Sequence, residues 1–139
     1  MGTSSLIGIQ REDKVEYIYC HWDGYLDGVG ATLNRYYSNE ETVNQLMKLG
    51  DISCLGNKPI SKPEYWEEKG YKLNPDYTLA YRDRGESNVN SKIIPLSKYN
   101  FNDDSMFINY MYLFRNGKWY YLRYNYDDWM ELNSQLHME

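Results

Sequence analysis

Hydrophobic and polar side chains alternate in two runs near the start of the chain, residues 5–10 and 15–22. A period of two residues is typical of β-strands, in which successive side chains point to opposite faces. The run between them, residues 11–14, is fully charged and indicates a turn. The pattern therefore predicts a β-hairpin in the N-terminal part of the chain.

A second hairpin is indicated by residues 108–115 and 118–124, which flank the dipeptide Asn116-Gly117. Asn-Gly favours a type I′ turn because both central residues adopt positive φ angles. The turn predicts cross-strand pairs of Phe114 with Trp119, Tyr112 with Tyr121, and Met111 with Leu122. One predicted face carries Ile108, Tyr110, Tyr112, Phe114, Trp119 and Tyr121, and the other carries Met111, Leu113, Tyr120, Leu122 and Tyr124. Neither face is polar, so both need cover from helices, a second copy or another partner.

Helical spacing of hydrophobic residues follows residues 23–30, a stretch rich in turn formers. Asp27 is the expected N-cap of the first helix. Ser38 and Glu41 form a capping-box pattern, which predicts that a second helix begins there. Gly50 stands where that helix is expected to end. Two short helices packed on the sheet follow from this pattern.

The middle of the chain is less regular and contains all four prolines. Residues 61–70 predict a short helix, because a proline stands in the first turn and a glycine follows the end. Residues 77–81 predict a strand and residues 82–88 a polar loop. A last helical turn is predicted from residue 127 or 128 through residue 136.

Tyrosine dominates the aromatic residues, with 16 Tyr beside 3 Phe and 4 Trp in a chain of 139 residues. A tyrosine buries its ring while its hydroxyl seeks a hydrogen-bond partner, which suits half-buried sheets and binding faces. The length suits a single domain, residues 1–139. We therefore predict an α+β domain whose tyrosine-rich antiparallel sheet has about four to six strands, with roughly two to four short helices on one face.

The formal net charge of -5 argues against non-specific binding of nucleic acid, which needs a basic face. Beyond their own neighbourhoods, Cys20 and Cys54 have no Cys or His at ligand spacing, so neither a disulfide framework nor a zinc site is expected. Residues 1–6 lack the features of a signal peptide, and no apolar run reaches membrane-spanning length. We expect a cytoplasmic protein that binds no metal, no cofactor and no membrane.

The densest cluster of candidate functional residues is Tyr-Cys-His-Trp-Asp-Gly-Tyr at positions 19–25. Cys20 and His21 are adjacent in a strand, so their side chains point to opposite faces and do not form a catalytic dyad. His21 and Asp23 lie on one side if the strand continues, and the carboxylate then orients the imidazole. The alternative is a strand end in which Asp23 caps the turn and His21 has a structural hydrogen bond.

Arg82 and Arg84 flank Asp83 in the predicted polar loop. At alternate positions they would present two guanidinium groups to a phosphate or to an acidic surface. The alternative is a solvated loop in which the two arginines pair with Asp83 and Glu86. This pair is the best candidate anion site in the chain.

Residues 18–25, Ile-Tyr-Cys-His-Trp-Asp-Gly-Tyr, are followed by Gly28-Val29-Gly30, by a helix ending in Tyr36-Tyr37 and by Leu49-Gly50-Asp51. Over roughly residues 1–55 the chain resembles a group of small uncharacterised proteins of phages, prophages and other bacterial mobile elements. The resemblance implies a context in which small accessory proteins counteract host defence. They do so by binding a defence protein, such as a CRISPR effector, or by sequestering a nucleotide signal.

Three functional hypotheses follow, and we favour a non-enzymatic binding protein without catalytic residues. Its binding residues would be His21, Trp22, Asp23, Tyr25, Arg82 and Arg84, and its partner a host protein or a small nucleotide. For a nucleotide, Trp22 or Tyr25 would stack on the base while Arg82 or Arg84 holds phosphate. The alternatives are a small hydrolase or nucleotide-processing enzyme with His21 as general base oriented by Asp23, and a structural protein that forms a homodimer or larger homo-oligomer.

Overall fold

The computed structural model describes residues 3–67, 74–101 and 108–132. These residues form eight β-strands: β1 (Ser4–Arg11), β2 (Lys14–Cys20), β3 (Ile52–Cys54), β4 (Leu79–Ala80), β5 (Lys92–Pro95), β6 (Ile108–Arg115), β7 (Lys118–Arg123) and β8 (Met130–Glu131). They also form the helices α1 (Ala31–Tyr36), α2 (Glu40–Leu49) and α3 (Pro63–Glu67). A π-helical turn, Leu26–Gly30, leads into α1, and two 3₁₀ turns span Tyr81–Arg84 and Leu96–Lys98.

All eight strands belong to one sheet, in the order β4-β3-β2-β1-β6-β7-β8, with β5 also paired to β2. The α+β class is as predicted, but the sheet is mixed and larger than the predicted four to six antiparallel strands. β1 pairs with β6 in parallel, and β2 pairs with β3 in parallel. These pairings join segments far apart in the chain, so local periodicity carried no information about their direction.

The N-terminal hairpin is confirmed, with β1 and β2 paired antiparallel from Ser5 opposite Cys20 to Arg11 opposite Lys14. Its turn is shorter than predicted, because Arg11 and Lys14 are themselves paired and only residues 12–13 remain in the loop. Glu12 accordingly has a positive φ of 61°. β2 ends at Cys20, two residues earlier than the alternating pattern suggested.

The C-terminal hairpin is confirmed together with all three predicted cross-strand pairs. Asn116 and Gly117 have φ angles of 52° and 78°, as a type I′ turn requires. The predicted face is wrong for Ile108, which packs with Met111 and Leu113 on the opposite side of the sheet. The reason is a register shift in the β1–β6 pairing, where Ser4 faces Ile108 and Ser5 faces Tyr110.

The π-helical turn, α1 and α2 cover one face of the sheet, where they form the larger of two hydrophobic cores. Its buried sheet residues are Ile7, Ile9, Ile18, Cys20, Ile52, Ala80, Tyr112, Phe114, Trp119 and Tyr121. Its buried residues from the helical segment are Val29, Leu33, Tyr37, Val43, Leu46, Met47 and Leu49. The third helix lies at the sheet edge instead, where the indole N–H of Trp66 donates to the carbonyl of Ala80 in β4.

The opposite face of the sheet is covered by the chain itself. Tyr99 is 2% exposed and its hydroxyl donates to the carbonyl oxygen of Tyr112 at 2.8 Å. Ile94, Leu96 and Phe101, from the same stretch, also pack against this core. Trp129 completes the cover by stacking on Tyr99 with ring centroids 5.9 Å apart. Among the described residues, the apolar second face of the hairpin therefore packs against the stretch that carries β5.

Both predicted helix caps differ from the observed ones. Asp27 is exposed within the π-helical turn, which begins after Tyr25 without a side-chain cap. The second helix is capped by Asn39, whose Oδ1 accepts from the backbone N–H of Thr42 at 2.8 Å. Asn39 thus takes the place expected for Ser38, and Asn is an equally good cap. Gly50 ends this helix as predicted, with φ of 76°.

Three further predictions have mixed outcomes. The helix expected over 61–70 is present at Pro63–Glu67, and residues 68–70 lie outside the described residues. The strand expected over 77–81 is reduced to β4, after which a 3₁₀ turn begins. The last helical turn is wrong for Met130 and Glu131, which pair with β7 as β8, whereas Leu132 is helical as predicted. Residues 133–136 lie outside the described residues.

At one position on the outer edge of β2, a side-chain carboxylate supplies the hydrogen-bond acceptor that a neighbouring strand would otherwise provide. Between the residues of β2 that pair with β5 and the one that pairs with β3, the backbone N–H of Tyr19 donates to Oδ1 of Asp51 at 2.9 Å. Burial raises the pKa of Asp51 above its ordinary value of 3.8, while this hydrogen bond and the nearby Lys92 lower it. Asp51 therefore stabilises the ladder as an acceptor although its charge is partly desolvated.

Replacement of Asp51 by alanine is expected to lower the free energy of unfolding by about 1 kcal/mol, because the Tyr19 N–H loses its acceptor. Asp51→Asn keeps an oxygen acceptor and should cost clearly less. Since the folded pKa of Asp51 is raised, its contribution is fully present below pH 3.8 and decreases as the pH rises through the folded pKa. Urea unfolding at acidic and neutral pH should show that the stability of the wild type relative to Asp51→Asn decreases as the pH rises, because the titration of the other carboxylates is common to both proteins. Equal losses in both variants would contradict the role as an acceptor.

Candidate functional site

One end of the sheet carries the loop of residues 21–25, which the sequence singled out. β1 and β6 run parallel and start at this end, so their antiparallel partners β2 and β7 finish there. Residues 21–25 follow β2 directly, and residues 124–126 follow β7. The backbone N–H groups of His21 and Trp22 donate to Ile52 and Ser53 in β3, which attaches the start of the loop to the sheet.

Close backbone contacts hold the loop after β2 in place. Asp23 has φ of 57°, and its carbonyl accepts from the N–H of Val29 at 2.8 Å. A Cβ at Gly28 would lie 2.3 Å from that same carbonyl oxygen, so no larger residue fits there without a backbone shift. Gly24 donates its N–H to Thr3 and accepts from the buried hydroxyl of Tyr112 at 2.7 Å. The glycines of the motif therefore serve the close packing of this loop.

Two large aromatic side chains of this loop face solvent. Trp22 and Tyr25 are each 42% exposed. The hydroxyl of Tyr25 donates to Oδ1 of Asp23 at 3.2 Å. The carboxylate of Asp23, followed by that hydrogen bond and a smaller influence of Asp27, raises the pKa of Tyr25. The exposed rings thus stand on a fixed backbone and beside two carboxylates.

His21 is oriented by Tyr19 and not by Asp23. Its Nδ1 lies 2.7 Å from the Tyr19 hydroxyl, which in turn lies 3.2 Å from Oγ of Ser4. The imidazole also contacts the Trp22 ring edge-on, with centroids 4.7 Å apart. The condition for a His21–Asp23 pair was a continuing strand, and β2 ends before both residues. The arrangement positions His21 as part of a side-chain network at the sheet end.

Arg82 and Arg84 lie in the 3₁₀ turn with different partners inside the chain. Arg82 donates from one terminal guanidinium nitrogen to the carbonyl of Lys48 near the end of the second helix, at 3.1 Å. Arg84 donates from Nε to Glu86 at 2.7 Å, and its guanidinium carbon lies 4.7 Å from the Trp66 ring centroid. The turn does not aim the two groups at one point, although both remain partly exposed.

The two thiols have no feature of a nucleophile. Cys20 is fully buried and its pKa is raised strongly, mainly by burial. The pKa of Cys54 is also raised, again mainly by burial. Raised pKa values keep both groups protonated at neutral pH. Within the described parts of the chain, no three His, Cys, Asp or Glu side chains come together in a way that would hold a metal ion.

Sequence reasoning missed a second exposed aromatic segment at the same end of the sheet. Tyr124 and Tyr126 are 56% and 59% exposed, and Met130 is 44% exposed. The signal was present in Tyr-Asn-Tyr-Asp-Asp-Trp-Met-Glu at 124–131, where aromatic and acidic residues are interleaved. The sequence pattern places Tyr124 in the hairpin strand and predicts a helical turn from residue 127 or 128, so it does not indicate one continuous surface over this stretch.

The fold and this surface define a small α+β protein with a mixed sheet and solvent-exposed aromatic residues at one sheet end. The chain matches no protein-family model, no curated protein and no solved structure. None of the helices in the described part of the chain combines the length and the apolar character needed to cross a bilayer.

Proposed function

We propose that this chain is a non-enzymatic binding protein that contacts a protein partner through Trp22 and Tyr25. In the phage or mobile-element context implied by the resemblance, the partner is a host defence protein in the bacterial cytoplasm. The observation that carries the proposal is the exposure of both rings, 42% each, on a loop whose backbone is held by buried contacts. Aromatic side chains of this kind contribute most of the binding energy in protein interfaces.

Rigidity of the loop supports this role. Binding costs conformational entropy when a loop must become ordered, and a fixed loop avoids most of that cost. Gly24 is tied to Thr3, directly before β1, and to Tyr112 on β6, and Asp23 is tied to Val29. Trp22 and Tyr25 are therefore presented in one arrangement before a partner arrives.

A protein partner is favoured over a nucleotide. The stacking residues Trp22 and Tyr25 lie beside Asp23 and Asp27, whose charges repel phosphate. The two arginines that would have to bind phosphate, Arg82 and Arg84, already contact the Lys48 carbonyl and the Glu86 carboxylate. A thermal-shift screen with nucleotides and cyclic nucleotides is therefore expected to give no stabilisation, and a clear shift would favour a nucleotide signal instead.

The double variant Trp22→Ala/Tyr25→Ala is expected to lose its partner, because each ring is a candidate anchor of about 2 kcal/mol or more. Tagged protein is incubated with lysate of the bacterium that carries the gene, and bound proteins are quantified by mass spectrometry. The matched control is Ile60→Ala/Ile93→Ala, which removes two other side chains exposed by 46% and 62%. Thermal unfolding should be nearly unchanged in both double variants, since all four side chains are exposed.

We expect the wild type and the control to retain a host protein. The aromatic variant should retain more than tenfold less of it, which corresponds to a loss of more than about 1.4 kcal/mol in binding free energy. Equal retention by all three proteins would contradict the proposal. Size-exclusion chromatography with light scattering tests the remaining candidate, a second copy of the chain. If the wild type forms a dimer that is lost only in the aromatic variant, the partner of this surface is a second copy of the chain and not a host protein.

A further inference from the structure

The exposed side chains of residues 22–27 and 124–131 have a common composition, and we call them the acidic aromatic surface. Neither segment contains a Lys, Arg or His. The carboxylates of Asp23, Asp27, Asp127 and Asp128 are all exposed. Exposed rings and carboxylates therefore alternate through both segments.

The second segment ends near the helical turn that follows the first segment. Leu132, directly after the second segment, packs into the same core as Val29 and Leu33, which follow the first segment. A methyl group at Gly30 would lie 3.4 Å from Cδ1 of Leu132 and 3.2 Å from the Tyr112 hydroxyl. The end of the second segment therefore lies beside the turn that follows the first.

We propose that the acidic aromatic surface binds a basic protein segment whose Lys or Arg side chains lie over the tyrosine rings and pair with the surrounding carboxylates. This inference rests on the proposed function, because it names the chemistry of the protein partner. Charge complementarity selects that partner: carboxylates attract cations and repel acidic surfaces and phosphates. An electron-rich aromatic face adds a cation–π attraction to each guanidinium or ammonium group placed over it.

The chain itself contains an example of this chemistry next to the surface. Arg123 precedes the second segment, and its guanidinium carbon lies 5.1 Å from the ring centroid of Tyr126 and 5.7 Å from that of Tyr110. Tyr126 still exposes 59% of its surface. A tyrosine at this sheet end therefore already holds one guanidinium group and keeps area for a partner.

The probe is a fluorescent peptide with arginine at every third position between glycine and serine, compared with peptides of the same design that carry glutamine or glutamate. The test variant is Asp23→Asn/Asp27→Asn/Asp127→Asn/Asp128→Asn. Asn tolerates the positive φ of Asp23 and keeps an acceptor for the Tyr25 hydroxyl. The matched control is Glu12→Gln/Asp13→Asn/Glu40→Gln/Glu41→Gln, which removes four exposed charges elsewhere. Both variants change the net charge from -5 to -1, since -5 + 4 = -1.

The arginine peptide is expected to bind the wild type and the control variant with the same affinity. Its affinity for the four-Asn variant should be about tenfold lower, because several exposed charge pairs are lost together. Binding should weaken between about 0.05 M and about 0.3 M salt. Amide shift changes in NMR spectra should map to residues 22–27 and 124–131. Equal binding of the arginine and glutamine peptides, or equal weakening in both charge variants, would overturn the basic partner.

The two proposals fail in different ways. If the host protein is lost with Trp22→Ala/Tyr25→Ala but retained by the four-Asn variant, the protein binds a partner through aromatic contacts and the basic partner is wrong. If the host protein is retained by both variants, the proposed binding surface itself is wrong. Loss of the host protein in both variants supports both.

Discussion

Replacement of Gly28 by alanine should lower the free energy of unfolding by about 2 to 3 kcal/mol, near the upper range for an added methyl group in a packed site. The new Cβ would lie 2.3 Å from the carbonyl oxygen of Asp23. That atom belongs to the backbone and also accepts from the N–H of Val29, so it has no free direction in which to move. Chemical denaturation of the purified variant measures the loss.

Gly30→Ala is the matched control for this substitution, since Gly30 lies in the same π-helical turn. A methyl group there would meet only side chains, with the Tyr112 hydroxyl at 3.2 Å as the nearest atom. Side chains adjust more easily than backbone, so Gly30→Ala should cost less than about 1 kcal/mol. Equal effects of the two substitutions would show that the Asp23 contact does not constrain the loop. If Gly28→Ala lowers the free energy of unfolding, it should also weaken partner binding, because this loop presents Trp22 and Tyr25.

Tyr112→Phe is expected to destabilise the protein by about 2 kcal/mol, within the range for leaving a buried acceptor unsatisfied. The Tyr112 hydroxyl donates to the Gly24 carbonyl at 2.7 Å, and the ring is 0% exposed. Burial also raises the pKa of Tyr112 strongly, so the hydroxyl stays a donor throughout the accessible pH range. Phenylalanine preserves the ring and removes only this donor, which isolates the hydrogen bond between β6 and the loop.

Tyr121→Phe gives the comparison for Tyr112→Phe. Tyr121 is also buried, at 5% exposure, and lies opposite Tyr112 in the hairpin. Among the described residues its hydroxyl makes no hydrogen bond within the chain, so its loss should change stability by less than about 0.5 kcal/mol. The outcome that contradicts the argument is a cost for Tyr112→Phe as small as that for Tyr121→Phe.

The strands and turns that depend on neighbouring residues were predictable. Asn116-Gly117 determines a two-residue turn, and that turn determines the pairs Phe114–Trp119 and Tyr112–Tyr121. The N-terminal hairpin and the stop at Gly50 follow from equally local chemistry. The helix caps were less predictable, because Ser38 and Asn39 are both good caps and packing selects between them.

Of the two chain segments that form the candidate site, only the first was predictable from the sequence. The motif drew attention to Trp22, Asp23 and Tyr25, whose exposure the structure reports. The pairing of His21 with Asp23 depended on where β2 ends, and one or two residues of strand length change the face of every side chain beyond it. The alternative of local ion pairs is confirmed for Arg82 with Asp83 and for Arg84 with Glu86. The contacts with the Lys48 carbonyl and the Trp66 ring come from residues distant in the chain and were not predictable.

By itself, the sequence determined a tyrosine-rich α+β domain with two hairpins and short helices, because periodicity and turn chemistry act between near neighbours. Only the tertiary structure decided that β1 and β6 run parallel, that residues 94–101 cover the second face, and that residues 21–25 and 124–126 follow strands that finish at the same end of the sheet. Those features arise from pairings and packing between segments far apart in the chain, such as Ser4 with Ile108. Their free energy depends on which surfaces are buried together, and a local pattern does not contain that information.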